Sequence, residues 1–209
     1  MTDSRKEQNM SVKKSFGTEP VEESLEYLVY KLLKERRYTL TTAESATGGM
    51  IASTLVNVPG ISEFFTEGYV TYSDAAKVKM IHVNPKTIEK YGVVSSETAC
   101  DMAKSAARTA GCDAALSVTG VAGPDGGTKD CPVGLMYIGC YLKGKTVTER
   151  YVFEKNSRRE RREAATEAAL RLLITMLKEE NPARLAGHCS MQWQSHFPPE
   201  NKEDSLCGS

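Results

Sequence analysis

The chain has 209 residues, with 27 Lys+Arg balancing 27 Asp+Glu, so its formal net charge is zero. That length holds one domain of ordinary size plus tails and buries a sizeable core. The charge balance leaves no electrostatic footprint for nucleic acid or an anionic membrane, and no apolar run approaches the about 20 residues of a spanning helix.

The N-terminal stretch MTDSRKEQNMSVKKSFGTEP lacks the apolar core of a secretory signal, and Asp3 and Glu7 argue against a transit peptide. Six cysteines (100, 112, 131, 140, 189, 207) form no C-x-x-C pair, which suits reduced thiols in a cytoplasmic protein. His82, His188 and His196 have no ligand-like spacing to any of them, so neither a metal site nor a cofactor is expected.

Residues 1–19 are polar and aperiodic and read as a disordered tail, followed by one domain over 20–181 and a flexible tail over 182–209. Pro20 suits a helix's first residue, and Val21, Leu25, Leu28, Val29 and Leu32 recur near helical spacing up to a cationic end at Lys34–Arg37. A β-prone entry, Tyr38–Thr42, leads into the corner Glu44-Ser45 and then Thr47-Gly48-Gly49, which opens a helix to about Asn57 with Ser45 or Thr47 as its cap. Ile61–Phe65 reads as a helical turn, Glu67–Ser73 as a strand, and Asp74 as the cap of a helix over Ala75–Ile81. Helices follow from Asn84-Pro85 to Tyr91 and from Ser95 to Ala110, each stopped by a glycine, then a buried strand over Asp113–Thr119. After the loop Gly120–Gly127, strands over Val133–Leu142 and Lys145–Phe153 form a hairpin. Asn156 or Ser157 caps a last helix running to about Glu180, with Ala164, Ala168, Leu172 and Met176 on one face. The alternation predicts an α/β fold, a three-layer α/β/α sandwich around a mixed, mostly parallel sheet. Its polar loops (Glu44–Gly49, Ser73–Lys77, Gly120–Gly127) would meet off the carboxyl ends of the strands, where such sheets bind ligands.

A strand-to-helix corner lifts a hydroxyl to the sheet rim and gathers unpaired backbone N–H groups, the minimum equipment for acyl transfer. Ser45 still needs a base. No histidine is placed to serve, so a Ser-His-Asp triad is disfavoured and Lys77 is the candidate. A lysine in a desolvated cleft loses its proton near neutrality; the plainer reading is a solvated helix lysine. Tyr72 either relays the proton, holds the lysine, or packs its ring as a strand aromatic. Thr119-Gly120 through Gly123-Pro124-Asp125-Gly126-Gly127 offers a backbone nest for an anion, although no Gly-Lys-Ser/Thr follows to make it a P-loop. Arg158, Arg159, Arg161 and Arg162 oppose the dipole at a helix start, so one or two of them are expected to meet a phosphate and the rest to form a solvated face.

Four segments in order, TAESATGG (Thr42–Gly49), EGYVTYSDAAK (Glu67–Lys77), VTGVAGPDGG (Val118–Gly127) and PVG (Pro132–Gly134), resemble the signatures of the CinA C-terminal domain family. The likeness runs from about Val21 to Glu180. Characterised members are nicotinamide-nucleotide amidases, so the resemblance implies a three-layer α/β/α fold and metal-free hydrolysis of nicotinamide mononucleotide to nicotinate mononucleotide and ammonia. It implies Ser45 as nucleophile, completed by Tyr72 and Lys77, with the segment from Thr119 bordering the substrate. The chain departs from many members in carrying Ala46 for Cys and Asp74 for Asn.

The expected site is therefore catalytic Ser45, Lys77 and Tyr72, with Glu44, Thr47, Gly48, Gly49, Thr119, Gly120, Gly123, Gly126, Gly127 and Arg161 around a small pyridine nucleotide. N–H groups of the Ser45–Gly49 corner would hold the oxyanion, and a homo-oligomer, dimer or higher, is expected. A second hypothesis is a nucleotide-binding module of the same fold that has lost turnover, which Asp74 favours by holding Lys77 protonated. A short-chain dehydrogenase is set aside: four residues separate Tyr72 from Lys77 where that motif has three, and no G-x-G-x-x-G follows the first strand.

Overall fold

A computed structural model describes residues 24–180. The two expected tails, and the expected start of the first helix at Pro20 and Val21, lie outside the described residues. Helix α1 (Leu25–Arg36) is capped by Ser24, whose side chain accepts from Tyr27 N–H. It ends on a left-handed Arg37, with Tyr38 N–H returning to Leu33 O. Tyr38 therefore belongs to the helix terminus, and strand β1 starts two residues later than expected, at Leu40–Glu44.

Five strands form one sheet in the order β2-β1-β3-β4-β5. β1 pairs in parallel with β2 (Phe65–Val70) and with β3 (Ala114–Gly120). β4 (Leu135–Leu142) runs antiparallel to β3 and to its hairpin partner β5 (Lys145–Val152), so only β4 is reversed. Helices cover both faces. On one, α1, α2 (Met50–Leu55) and α6 (Arg158–Glu179) bury Leu33, Leu55 and Leu173 with Leu40, Leu116 and Ile138 of the sheet. On the other, α3 (Asp74–Ile81), α4 (Pro85–Tyr91) and α5 (Ser96–Ala110) close over Ala43 and Ala115 with Ile81, Ile88, Met102 and Ala106. α5 lies so close that a Cβ on Gly139 would come within 2.6 Å of Ala99 O, to which Ser117 Oγ donates.

Three boundaries matter for the site. Gly48 and Gly49 have φ of +61° and +91°, a left-handed region closed to helical continuation, so Thr47–Gly49 is a turn and α2 begins at Met50. Neither Ser45 nor Thr47 caps α2. β2 ends at Val70, placing Tyr72 beyond the strand, and Ser73 rather than Asp74 caps α3, accepting from Ala76 N–H at 3.1 Å. At α6, Ser157 and Glu160 form a reciprocal capping box: Glu160 N–H donates to Ser157 Oγ and Ser157 N–H to Glu160 Oε2. Ser157, not Asn156, is thus the cap that starts α6.

Candidate active site

Successive residues of a strand face opposite sides of the sheet. At the carboxyl end of β1 that alternation separates two polar side chains with different fates. Glu44 points under α2, fully buried, and its two carboxyl oxygens accept from Ile51 N–H (3.0 Å) and Ala52 N–H (2.9 Å). It satisfies two of the N-terminal donors a helix otherwise leaves unpaired. Ser45 leaves the sheet on the α3 side. Its own N–H donates to Val118 O, and its carbonyl accepts from Gly48 N–H, closing the corner into a tight turn.

Lys77 reaches Ser45 from the first turn of α3. Its Nζ lies 3.2 Å from Ser45 Oγ and 3.1 Å from Thr71 O. The side chain is 1% exposed and Ser45 is 9% exposed. Two influences compete on this amine. Burial disfavours the ammonium, whereas the Asp74 carboxylate, 3.8 Å from Nζ, favours it. Asp74 is 58% exposed, so water screens much of its charge. Burial wins, and the Lys77 pKa lies below its ordinary value of 10.5. The proximity of Asp74 thus does not cancel the desolvation of Lys77.

The pair opens into a cleft of ≈ 270 Å³. Val93, Val94, Val121 and Ala122 give it an apolar wall; Thr119, Gly120 and Gly123 line it from the β3 side. Thr119 is buried, its hydroxyl donating to Val93 O across the cleft wall. Gly120 is set by packing, since a Cβ there would lie 2.4 Å from Leu135 O. Gly126 and Gly127 are not among the lining residues. Nor are Glu44, Thr47, Gly48 and Gly49: Glu44 is occupied by α2, and the other three shape the turn behind Ser45.

Tyr72 lines the mouth, 62% exposed, and its hydroxyl accepts from Arg158 Nη2 at 2.9 Å. The two hydrogen bonds of Lys77 go to Ser45 and Thr71, so the Thr71 carbonyl, not Tyr72, positions the amine.

The arginine that reaches the cleft is Arg158, which also donates to Gly123 O; Arg161, the expected one, is half-buried behind the loop, its Nη1 on Ala122 O. Helical phase carries part of this signal. Positions 158, 161 and 162 share one face, whereas Arg159 turns outward to pair with Glu163.

A buried serine–lysine pair at the carboxyl end of an open α/β sheet, walled by apolar groups with a guanidinium at its mouth, defines an α/β/α protein with a candidate nucleophile site. The chain belongs to the CinA C-terminal domain family, whose model matches residues 22–177. It is 52% identical over 129 residues to a CinA-like protein of Kosmotoga olearia, covering 62% of this chain and 31% of that one. The chain thus spans about a third of the length of that curated relative. Two crystal structures are similar throughout their own length. One is the competence damage-inducible protein A of Klebsiella pneumoniae (TM-score 0.72, 32% identity, 75% of this chain and 97% of that one). The other is the competence/damage inducible protein CihA of Agrobacterium tumefaciens (TM-score 0.71, 33% identity, 78% and 100%).

Proposed function

We propose that this chain is an amidohydrolase that converts nicotinamide mononucleotide to nicotinate mononucleotide and ammonia. The observation that supports the reading is the 3.2 Å approach of a desolvated Lys77 Nζ to Ser45 Oγ at the end of an apolar-walled cleft. A serine hydroxyl is inert without a base, and burial lowers the lysine pKa towards the range where a neutral amine is available. Charged, Nζ donates to Ser45 Oγ; neutral, its lone pair takes the serine proton while an N–H stays on Thr71 O.

In the first half-reaction Ser45 Oγ bonds to the carboxamide carbon as its proton passes to Lys77. The tetrahedral oxyanion meets the corner's backbone N–H groups. With Ser45 N–H on Val118 O and Gly48 N–H on Ser45 O, those of Ala46, Thr47 and Gly49 are the uncommitted donors there among the described residues, and Ala46 N–H directly follows the nucleophile. The C–N bond then breaks, and ammonia leaves with the proton returned from Lys77. Water then bonds to the acyl carbon as Lys77 takes one of its protons; the C–Oγ bond breaks, Lys77 returns that proton to Ser45 Oγ, and nicotinate mononucleotide leaves. The pyridine ring would lie against Val93, Val94 and Val121, with the phosphate towards Arg158.

Ser45→Ala is expected to abolish ammonia release from nicotinamide mononucleotide, in a coupled assay, without changing the thermal midpoint by more than a few degrees. Turnover at the wild-type rate in that variant would end the assignment. Asp74 beside Lys77 favours a second reading, a nucleotide-binding module without turnover. Calorimetric binding of the mononucleotide by wild type with no ammonia released would select it.

A further inference from the structure

The first turn of α6 carries cations where the helix dipole disfavours them. Three of them end on carbonyls of the two loops that frame the cleft: Arg158 on Gly123 O, Arg161 on Ala122 O and Arg162 on Thr47 O. Arg162 differs from the others because it is forked. Both Nε (3.1 Å) and Nη2 donate to the one Thr47 carbonyl, and the half-buried guanidinium lies against Gly48, within 3.4 Å of where a Cβ would stand.

That carbonyl belongs to the peptide Thr47–Gly48, and in a trans peptide the C=O and N–H point in opposite directions. Fixing Thr47 O therefore aims Gly48 N–H, which donates to Ser45 O at 3.1 Å. The Ser45–Ala46 peptide is fixed by the same rule, so holding Ser45 O aims Ala46 N–H the other way. Two planar peptides thus connect Arg162 to the N–H following the candidate nucleophile. The N-terminal side of the corner is held by Ser45 N–H on Val118 O and by the burial of Ala46 and Thr47, whereas its C-terminal side passes through Gly48 and Gly49, both with positive φ, into an α2 of only six residues. Glycine's conformational freedom makes the turn easy to form and equally easy to tilt.

We infer that Arg162 is a positioning residue for the oxyanion donor: its fork on Thr47 O sets the orientation of Ala46 N–H beside Ser45. This rests on Ser45 being a nucleophile, but not on the identity of the amide. A neutral glutamine or single-pronged lysine at 162 leaves the Thr47–Gly48 plane free to rock, and the cost falls on the step in which negative charge develops.

The test uses the full chain and a fluorophosphonate probe, with which Ser45 Oγ forms an O–P bond, fluoride leaves and Lys77 takes the serine proton. The measured quantity is the labelling rate constant per folded molecule, because a loss of folded protein lowers the amount labelled but not that constant. Arg162→Gln is expected to label at least tenfold more slowly than wild type, Arg162→Lys to fall between them, and Arg159→Gln, a charge-matched change on the outer face, to match wild type. With nicotinamide mononucleotide, kcat of the Arg162 variants should fall while KM stays within twofold. Equal labelling constants for wild type and both Arg162 variants would overturn the inference, as would an equal fall in Arg159→Gln, which would make the effect one of net charge. Wild type that labels at Ser45 yet releases no ammonia defeats only the proposed substrate, and the variant constants then still decide. Wild type that does not label defeats the nucleophile itself, and the inference with it.

Discussion

Two buried polar side chains stand back to back at the end of β1, one on each face of the sheet, and they solve burial in opposite ways. Glu44 is matched atom for atom, with one backbone N–H of α2 on each carboxyl oxygen. Lys77 is matched only by a carbonyl and by the hydroxyl it is proposed to activate, and the nearest opposite charge sits 3.8 Å away in solvent. A satisfied buried group stabilises the fold. A partly satisfied one costs stability, which at a functional site is the signature of a group held ready to change its protonation state. The lesson is that burial by itself does not mark a site; what sets Lys77 apart from Glu44 is that one of its few partners is the hydroxyl at the cleft.

The sharpest break of this contrast is Lys77→Met, which keeps the stem and removes the amine. Turnover should fall by about 10²–10⁴-fold, the usual contribution of a positioned base, while stability to urea should rise. Lys77 has a folded-state pKa below the 10.5 of the unfolded chain, so between those values the unfolded chain binds more protons and wild-type stability increases with pH. The advantage of the methionine variant is therefore greatest below the folded pKa and closes as pH approaches 10.5. A variant less stable than wild type at every pH would show that the amine is a structural tie, like Glu44.

The converse change is Glu44→Gln. It leaves one α2 N–H without its acceptor and should cost about 1–3 kcal/mol in urea unfolding, with kcat per folded molecule kept within a few-fold. Normal stability with lost turnover would reverse the two roles and make Glu44 the chemical residue.

How far these roles were readable beforehand differs residue by residue. The alternation of strands and helices and the single reversed strand follow from hydrophobic period and from the short Lys143-Gly144 turn, which are local signals. Ser45 and Lys77 were readable because each closes a strand–helix junction, and junctions of this kind collect at one edge. Glu44 was not. A carboxylate beside a serine in a polar corner reads as site chemistry, and only the two left-handed glycines, which fold α2 back over it, turn it into a helix cap. Tyr72 was misplaced for a related reason: β-branched and aromatic residues carry strand propensity past Val70, but Ser73 capping α3 ends the strand first. The choice of Arg158 over Arg161 depended on how far the loop around Gly123 stands from the helix, a distance that no spacing encodes.

The finest test of the contrast is Asp74→Asn, which leaves the pairing of Lys77 intact and removes only the screened charge beside it. In the proposed mechanism the neutral amine is the competent form, so activity should rise with pH through the Lys77 pKa. Asp74 raises that pKa against the larger effect of burial, so its removal should move the acid limb of the kcat/KM profile to lower pH. The shift should be small, since a carboxylate that is 58% exposed acts through water, and it should shrink further as salt is added. A limb that stays in place at low salt would mean that Lys77 is not the titrating base. A limb that moves to higher pH would mean that Asp74 supports the neutral amine, and burial would then no longer suffice to explain a lysine poised at Ser45.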